Sequence, residues 1–125
     1  MRAALLDLAL VVKAYRSRMT TIDSVTDATF QDEVLAAPGT TVVEFWAEWC
    51  GPCRALSPIL QQLQDEHADR IRIVKINADE NMDATVAYKA LALPVMKVFQ
   101  NGEVVKTIIG AKPKPAMELE LAAFL

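Results

Sequence analysis

Apolar residues along this chain fall into short runs of two kinds. Thr41-Val42-Val43-Glu44-Phe45-Trp46 is β-branched and aromatic. It reads as a buried strand, with Val42 to Trp46 the central one. Ile71 to Asn77 is a second mostly apolar run of the same type. Val95 to Gln100 and Val104 to Ile109 flank Asn101-Gly102, the strongest two-residue hairpin signal in the chain, so they are expected as antiparallel neighbours. Thr20 to Val25 reads as a short edge strand. Between these runs the period becomes helical. Ala28 to Ala37 puts Phe30, Val34 and Leu35 at core spacing, with Thr26 and Asp27 as N-cap and Pro38-Gly39 as the stop. Arg54 to Ala68 places Leu56, Ile59, Leu60 and Leu63 on one face, although Pro58 inside it removes a backbone donor and must kink it. Asp79 to Asn81 turns into a short helix, Met82 to Tyr88. Pro113 and Pro115 precede a final helix, with Met117, Leu119, Leu121 and Phe124 available for its buried side. The order β-α-β-α-β-α-β-β-α predicts an α/β fold, a mixed five-stranded sheet flanked by four helices on its two faces.

Composition narrows the function classes. At 125 residues, 53% of them hydrophobic, the chain suits one domain with a real core. Net charge is −3 with acids and bases interspersed, which gives no support for nucleic-acid binding. No run reaches the length of a membrane span. Met1 to Arg18 is the odd piece: an apolar stretch broken by Asp7 and followed by Lys13, Arg16 and Arg18. A secretory signal wants its charge before the apolar run and an A-x-A site after it; here most of the charge comes after the run, and no A-x-A stands there. Three readings stay open for this segment: an upstream start with Met19 as the functional one, a helical or disordered extension, or a targeting peptide. Residues 1–19 are therefore set apart as an extension from a domain spanning 20–125.

The chemistry sits in Trp49-Cys50-Gly51-Pro52-Cys53, which holds both cysteines of the chain. The pair opens a helix at the end of a strand. Helix N-termini carry unpaired N–H groups and a partial positive charge, which favours thiolate over thiol. Cys50, expected on the exposed side of the turn, is the candidate nucleophile. Cys53, about one helical turn on, can reach its sulfur and close a disulfide. Gly51 is expected to let the backbone turn without a Cβ clash, and Pro52 suits the first helical turn. Two other readings stand beside this one. The cysteines could be half a zinc site, but four ligands are needed and His67 is the only histidine. They could also be inert core thiols, against which the Gly-Pro turn argues. Two cysteines make no secreted-type disulfide framework. His67, near a helix C-terminus, has an ordinary place there and is assigned no chemistry.

Phe45-Trp46-Ala47-Glu48-Trp49-Cys50-Gly51-Pro52-Cys53 resembles the thioredoxin active-site signature over its whole length, and the resemblance runs from about Thr20 to the C-terminus. Its start just after Met19 favours the alternative-start reading. The resemblance implies the thioredoxin fold and a protein dithiol–disulfide oxidoreductase that reduces target disulfides through a reversible Cys50–Cys53 bond. It also implies no bound cofactor, a flavin-containing thioredoxin reductase as electron donor, disulfide-containing protein targets, a monomer and a cytoplasmic location. Pro58 matches a proline the family carries. Two rivals differ in use: an oxidant or isomerase of disulfides, and a binding subunit or holdase with incidental thiols. The Gly-Pro dipeptide looks like the reducing type.

Glu44 lies in an apolar strand, either facing outward or buried with a raised pKa. In most thioredoxins an aspartate stands there, beneath the second cysteine, and is held to assist its deprotonation; here it is one methylene longer. Lys75 matches the lysine the family places near that acid, the plainer reading being a stem snorkelling to the sheet edge. Lys97 stands where the family usually has an aliphatic residue. Alternation puts it on the face of Val95 and Phe99, where it snorkels or serves as a second partner for Glu44. Leu93-Pro94 matches the family's cis-proline loop facing the disulfide, an extended edge able to pair with a substrate strand. The family commonly reads Gly-Ile-Pro-Thr, against Ala92-Leu93-Pro94-Val95 here. Trp49, Gly51, Pro52, Leu93, Pro94 and the Gly110-Ala111 turn are expected to form an apolar docking patch. Trp46 reads as a packing aromatic.

Overall fold

The β-branched runs form the strands that their patterns require. The computed structural model describes residues 21–125. The extension and Thr20, the expected start of the first strand, lie outside the described residues. Five strands, β1 Asp23–Ser24, β2 Thr40–Trp46, β3 Ile71–Asn77, β4 Val95–Gln100 and β5 Glu103–Ile109, make one sheet in the order β1-β3-β2-β4-β5. β2 runs parallel to β3 and antiparallel to β4, so it is central. β1 is shorter than expected, although the Val25 N–H still reaches the Lys75 carbonyl at 2.8 Å. Asn101 and Gly102 both take positive φ, 53° and 77°, which the tight β4–β5 hairpin needs.

Alternation along β2 separates two cores. Val42 packs with Leu56, Leu60, Leu63, Ile73, Met96, Met117 and Leu121 on one face. Val43 and Phe45 pack with Phe30, Val34, Val74, Ile76, Val95 and Phe99 on the other. The first face is covered by α2 Gly51–His67 and α4 Lys114–Leu121; the second by α1 Gln31–Leu35 and α3 Met82–Ala87. Both faces of β2 are thus sealed, which is why its pattern is a near-continuous apolar run.

Several expectations are corrected. The first helix is a single π-helical turn, closed by the Ala36 N–H on the Gln31 carbonyl. Asp27 does not cap it. Its carboxylate accepts instead from the Asp83 and Ala84 N–H groups at 3.1 and 2.9 Å, capping α3 across the fold. In α4 only Met117 and Leu121 are buried, on one stripe four residues apart, while Leu119 faces outward and is 78% exposed. α2 begins at Gly51, three residues before the expected Arg54, because Cys50 itself is the N-cap.

Candidate functional site

The site stands at the C-terminal end of β2, where the chain leaves the sheet and enters α2. Cys50 and Cys53 are joined by a disulfide with Cα atoms 5.3 Å apart. Cys50 Sγ accepts the Cys53 N–H at 3.2 Å, so one orphan donor of the helix end is aimed at the first sulfur. Pro52 occupies the first turn as expected. Cys50 is not exposed. It is 2% accessible and Cys53 4%, because Leu93 and Trp46 pack over the bonded pair. Nor does Gly51 need to be glycine for the turn. It is absent from the positive-φ glycines, and a Cβ there would meet nothing within 4 Å. Gly51 and Pro52 are both exposed on the outer surface.

The loop preceding β4 closes against the disulfide. The Leu93–Pro94 peptide is cis. Leu93 touches the cysteine cluster, and the Pro94 carbonyl accepts the Gly110 N–H at 2.8 Å, which ties the turn after β5 to this loop. Gly110 has φ +89°, a conformation that favours glycine. Trp49 is 68% exposed beside the cysteines, and its indole N–H donates to Asp79 at 2.8 Å. The residues expected for docking therefore gather at this end of the sheet. Asp79 was not foreseen, since nothing local links positions thirty residues apart.

Beneath the disulfide lies the buried acid. Glu44 is 5% exposed and points to the α2 face of the sheet, so it is not an outward strand residue. Loss of hydration by burial pushes its pKa up to about 7, against a smaller downward pull from the Lys75 charge. Lys75 is its register partner on β3, and the ammonium stands 5.6 Å from the centre of the Trp46 ring. Glu44 Oε2 and Trp46 Nε1 are buried without a hydrogen-bond partner. A cleft of about 120 Å³ is lined by Glu44, Trp46, Cys53, Arg54, Ser57 and Lys75. Lys97 has no part in it. Val43 is its register partner, on the opposite face from Glu44, and its ammonium donates to Thr107 at 3.0 Å.

Other charged groupings lie at the far end. Glu66, His67 and Glu118 hold possible metal-ligand atoms within 4.8 Å of one another, but Lys114 Nζ already sits 2.5 Å from Glu66 Oε1. This group is at the opposite end of α2 from the cysteines. A groove of about 440 Å³ near the start of β2 and β3 holds Arg72, which Glu33 and Asp23 already pair at 2.9 and 3.6 Å. No helix among the described residues is long and apolar enough to cross a membrane.

The family model described as Thioredoxin matches residues 21–123. A thioredoxin of Streptomyces clavuligerus is 48% identical over 96 residues, covering 77% of this chain and 89% of that protein. One from Porphyra purpurea is 39% identical over 104 residues, covering 83% of this chain and 97% of its own. One from Pseudomonas aeruginosa is also 39% identical over 104 residues, covering 83% and 93%.

Proposed function

The chain belongs to the thioredoxin family and is a dithiol–disulfide oxidoreductase; from that premise we propose a division of labour among its own residues. The observation that carries the proposal is the Cys50–Cys53 pair at the N-terminus of α2, with Cys53 lining the same cleft as the buried Glu44.

Cys50 is the nucleophile. The helix end and the Cys53 N–H stabilise its thiolate in the reduced protein. The thiolate attacks one sulfur of a target disulfide; a mixed disulfide forms, and the other target sulfur leaves as a thiolate that takes a proton from solvent. Cys53 then loses its thiol proton to Glu44 and attacks Cys50 Sγ. The Cys50–Cys53 bond forms, the mixed disulfide breaks, and the target departs with two added electrons. Lys75 tunes Glu44 by charge, keeping burial from raising its pKa further. Trp49, Gly51, Pro52, Leu93, Pro94 and Gly110 form the surface on which the target chain lies. Its strand edge pairs with the Leu93–Pro94 loop.

Disulfide-bearing targets and a reductase that returns the pair to the dithiol go with the family. The finer assignment is a flavin-containing thioredoxin reductase as donor, with the protein acting as a cytoplasmic monomer. Reduction is the working direction. Equilibration with glutathione buffers is expected to give a potential near the roughly −270 mV of reducing dithiols. A value near the roughly −180 or −120 mV of isomerase and oxidant types would reverse the assignment.

Residues 20–125 form the working domain, and 1–19 lie outside it. The family match over residues 21–123 supports this boundary. Removing residues 1–18, so that the chain starts at Met19, is expected to move the melting temperature by less than about 3 °C, and to leave target reduction unchanged. A fall of about 10 °C would make the extension part of the fold.

A further inference from the structure

The cleft at Cys53 runs from a closed floor to an open mouth. Glu44 and Cys53, at its floor, are 5% and 4% exposed. Trp46 and Lys75 along its walls are half-buried, and Arg54 and Ser57 at its mouth are exposed. Helix geometry sets this up. Cys53 and Ser57 are four residues apart on α2, so the thiol and the hydroxyl share one helix face. Glu44 and Trp46 are two apart on β2, so both face that helix. Two buried polar atoms on these residues, Glu44 Oε2 and Trp46 Nε1, have no protein partner. One is an acceptor and the other a donor. Orphaned buried polar groups cost roughly 1–3 kcal/mol each unless something satisfies them. At about 120 Å³ the cleft has room for water, which needs roughly 10–15 Å³ on the same measure.

We propose that Ser57 is a positioning residue of the dithiol site: with the Trp46 N–H it holds water in this cleft against Glu44 Oε2, and that water carries the Glu44 proton out to solvent. The inference rests on the reading of Glu44 as proton acceptor and adds the route by which the acid is reset. The proton balance is closed. Cys53 gives its thiol proton to Glu44, Glu44 passes one to the water, and the water passes one to bulk at the Ser57 mouth. No electron moves in these steps, and the carboxylate is regenerated for the next turnover. The Ser57 hydroxyl suits the relay because it can donate and accept at once. Charged and titratable groups facing Glu44 are Lys75 from β3 and Cys53 and Arg54 from α2; its β4 neighbour Met96 has none. Arg54 donates to the Glu48 carbonyl, which occupies its guanidinium at the rim.

The test compares target-disulfide reduction across pH for the parent, Ser57→Ala, Ser57→Thr, Glu44→Gln and the Ser57→Ala/Glu44→Gln double variant. Ser57 is exposed and alanine favours helix, so folding is retained. Ser57→Ala is expected to lower kcat at about pH 7 by roughly 3- to 10-fold, a fraction of a full general-base effect, and to match the parent above about pH 9. Ser57→Thr, which keeps the hydroxyl, restores the rate. In the Glu44→Gln background Ser57→Ala has no further effect. If Glu44→Gln slows the neutral-pH rate but Ser57→Ala matches the parent throughout, the Ser57 route is wrong while Glu44 stands. If Ser57→Ala slows both backgrounds equally, Ser57 acts by another means. If Glu44→Gln is itself without effect at every pH, the acceptor reading fails and takes this inference with it.

Discussion

Cys53→Ser is expected to stop the catalytic cycle at a stable mixed disulfide between Cys50 and the target. The parent resolves that intermediate with an internal thiol whose Cα is 5.3 Å from that of Cys50. Held at this range a nucleophile acts as if at a very high local concentration, with effective molarities of about 10⁵ M or more in well-oriented cases. An external thiol at millimolar level cannot match it, so turnover falls by at least roughly 10³-fold. Gel analysis without reductant, followed by peptide mapping, is expected to find the adduct on Cys50. Cys50→Ser is equally inactive but traps nothing, because the helix-end N–H that favours a thiolate is aimed at the Cys50 sulfur and not at that of Cys53. A Cys53→Ser protein that keeps the parent's rate would show that the thiols are incidental. Adducts forming on Cys53 in the Cys50→Ser protein would exchange the two roles.

Glu44→Gln is expected to change stability and rate with opposite signs. In the folded protein the Glu44 pKa is raised from 4.5 to about 7 by burial. Below about pH 4.5 the carboxyl is protonated both folded and unfolded, and its burial carries no charge penalty. As pH rises through about 7 the folded protein must ionise a buried group, and that stability is lost. At about 1.4 kcal/mol per pKa unit the loss is on the order of 3 kcal/mol between acid and mildly alkaline pH. The glutamine variant escapes this penalty, so its advantage over the parent grows from pH 4 to about pH 8, read by denaturant unfolding at each pH. Its rate moves the other way. Without the base, Cys53 must ionise unaided, and turnover falls by roughly 10- to 100-fold near neutral pH. The rate recovers toward the ordinary thiol pKa of about 8.5. Glu44→Asp is expected to regain most of the rate if the extra methylene is incidental. A variant that equals the parent in stability and rate at every pH would reduce Glu44 to a packing residue.

Periodicity along the chain was enough to place β2 through β5, α2 and α3 to within a few residues. These are local properties. A β-branched run has one favoured backbone, and alternation assigns each side chain to a face without reference to partners. The same local reasoning put the cysteines at a helix N-terminus, Pro52 in its first turn and Lys97 on the face of Val95 and Phe99, and left Glu44 in an apolar strand, facing outward or buried. Ser57 was also within reach, since four residues past Cys53 means the same helix face, but a serine on a helix carries no signal until its neighbours are known.

What the tertiary structure decided was everything that depends on distant pairs. Asp27 has the look of a cap for the helix that follows it; only the approach of α3 turns it into the cap of Asp83 and Ala84. Leu119 is apolar, but α4 buries the stripe of Met117 and Leu121 and leaves Leu119 outside. Cys50 is covered because a loop more than forty residues on brings Leu93 against it. The pKa of Glu44 near 7 follows from burial under α2 with Lys75 across on β3, neither of which is a property of the strand alone. The sequence by itself determined that a Cys50–Cys53 pair stands at a helix N-terminus, because reactivity resides in residue type and local backbone. The exposure of the pair and the protonation of Glu44 were left to the packing, because hydration and charge are set by whatever the rest of the chain places around them.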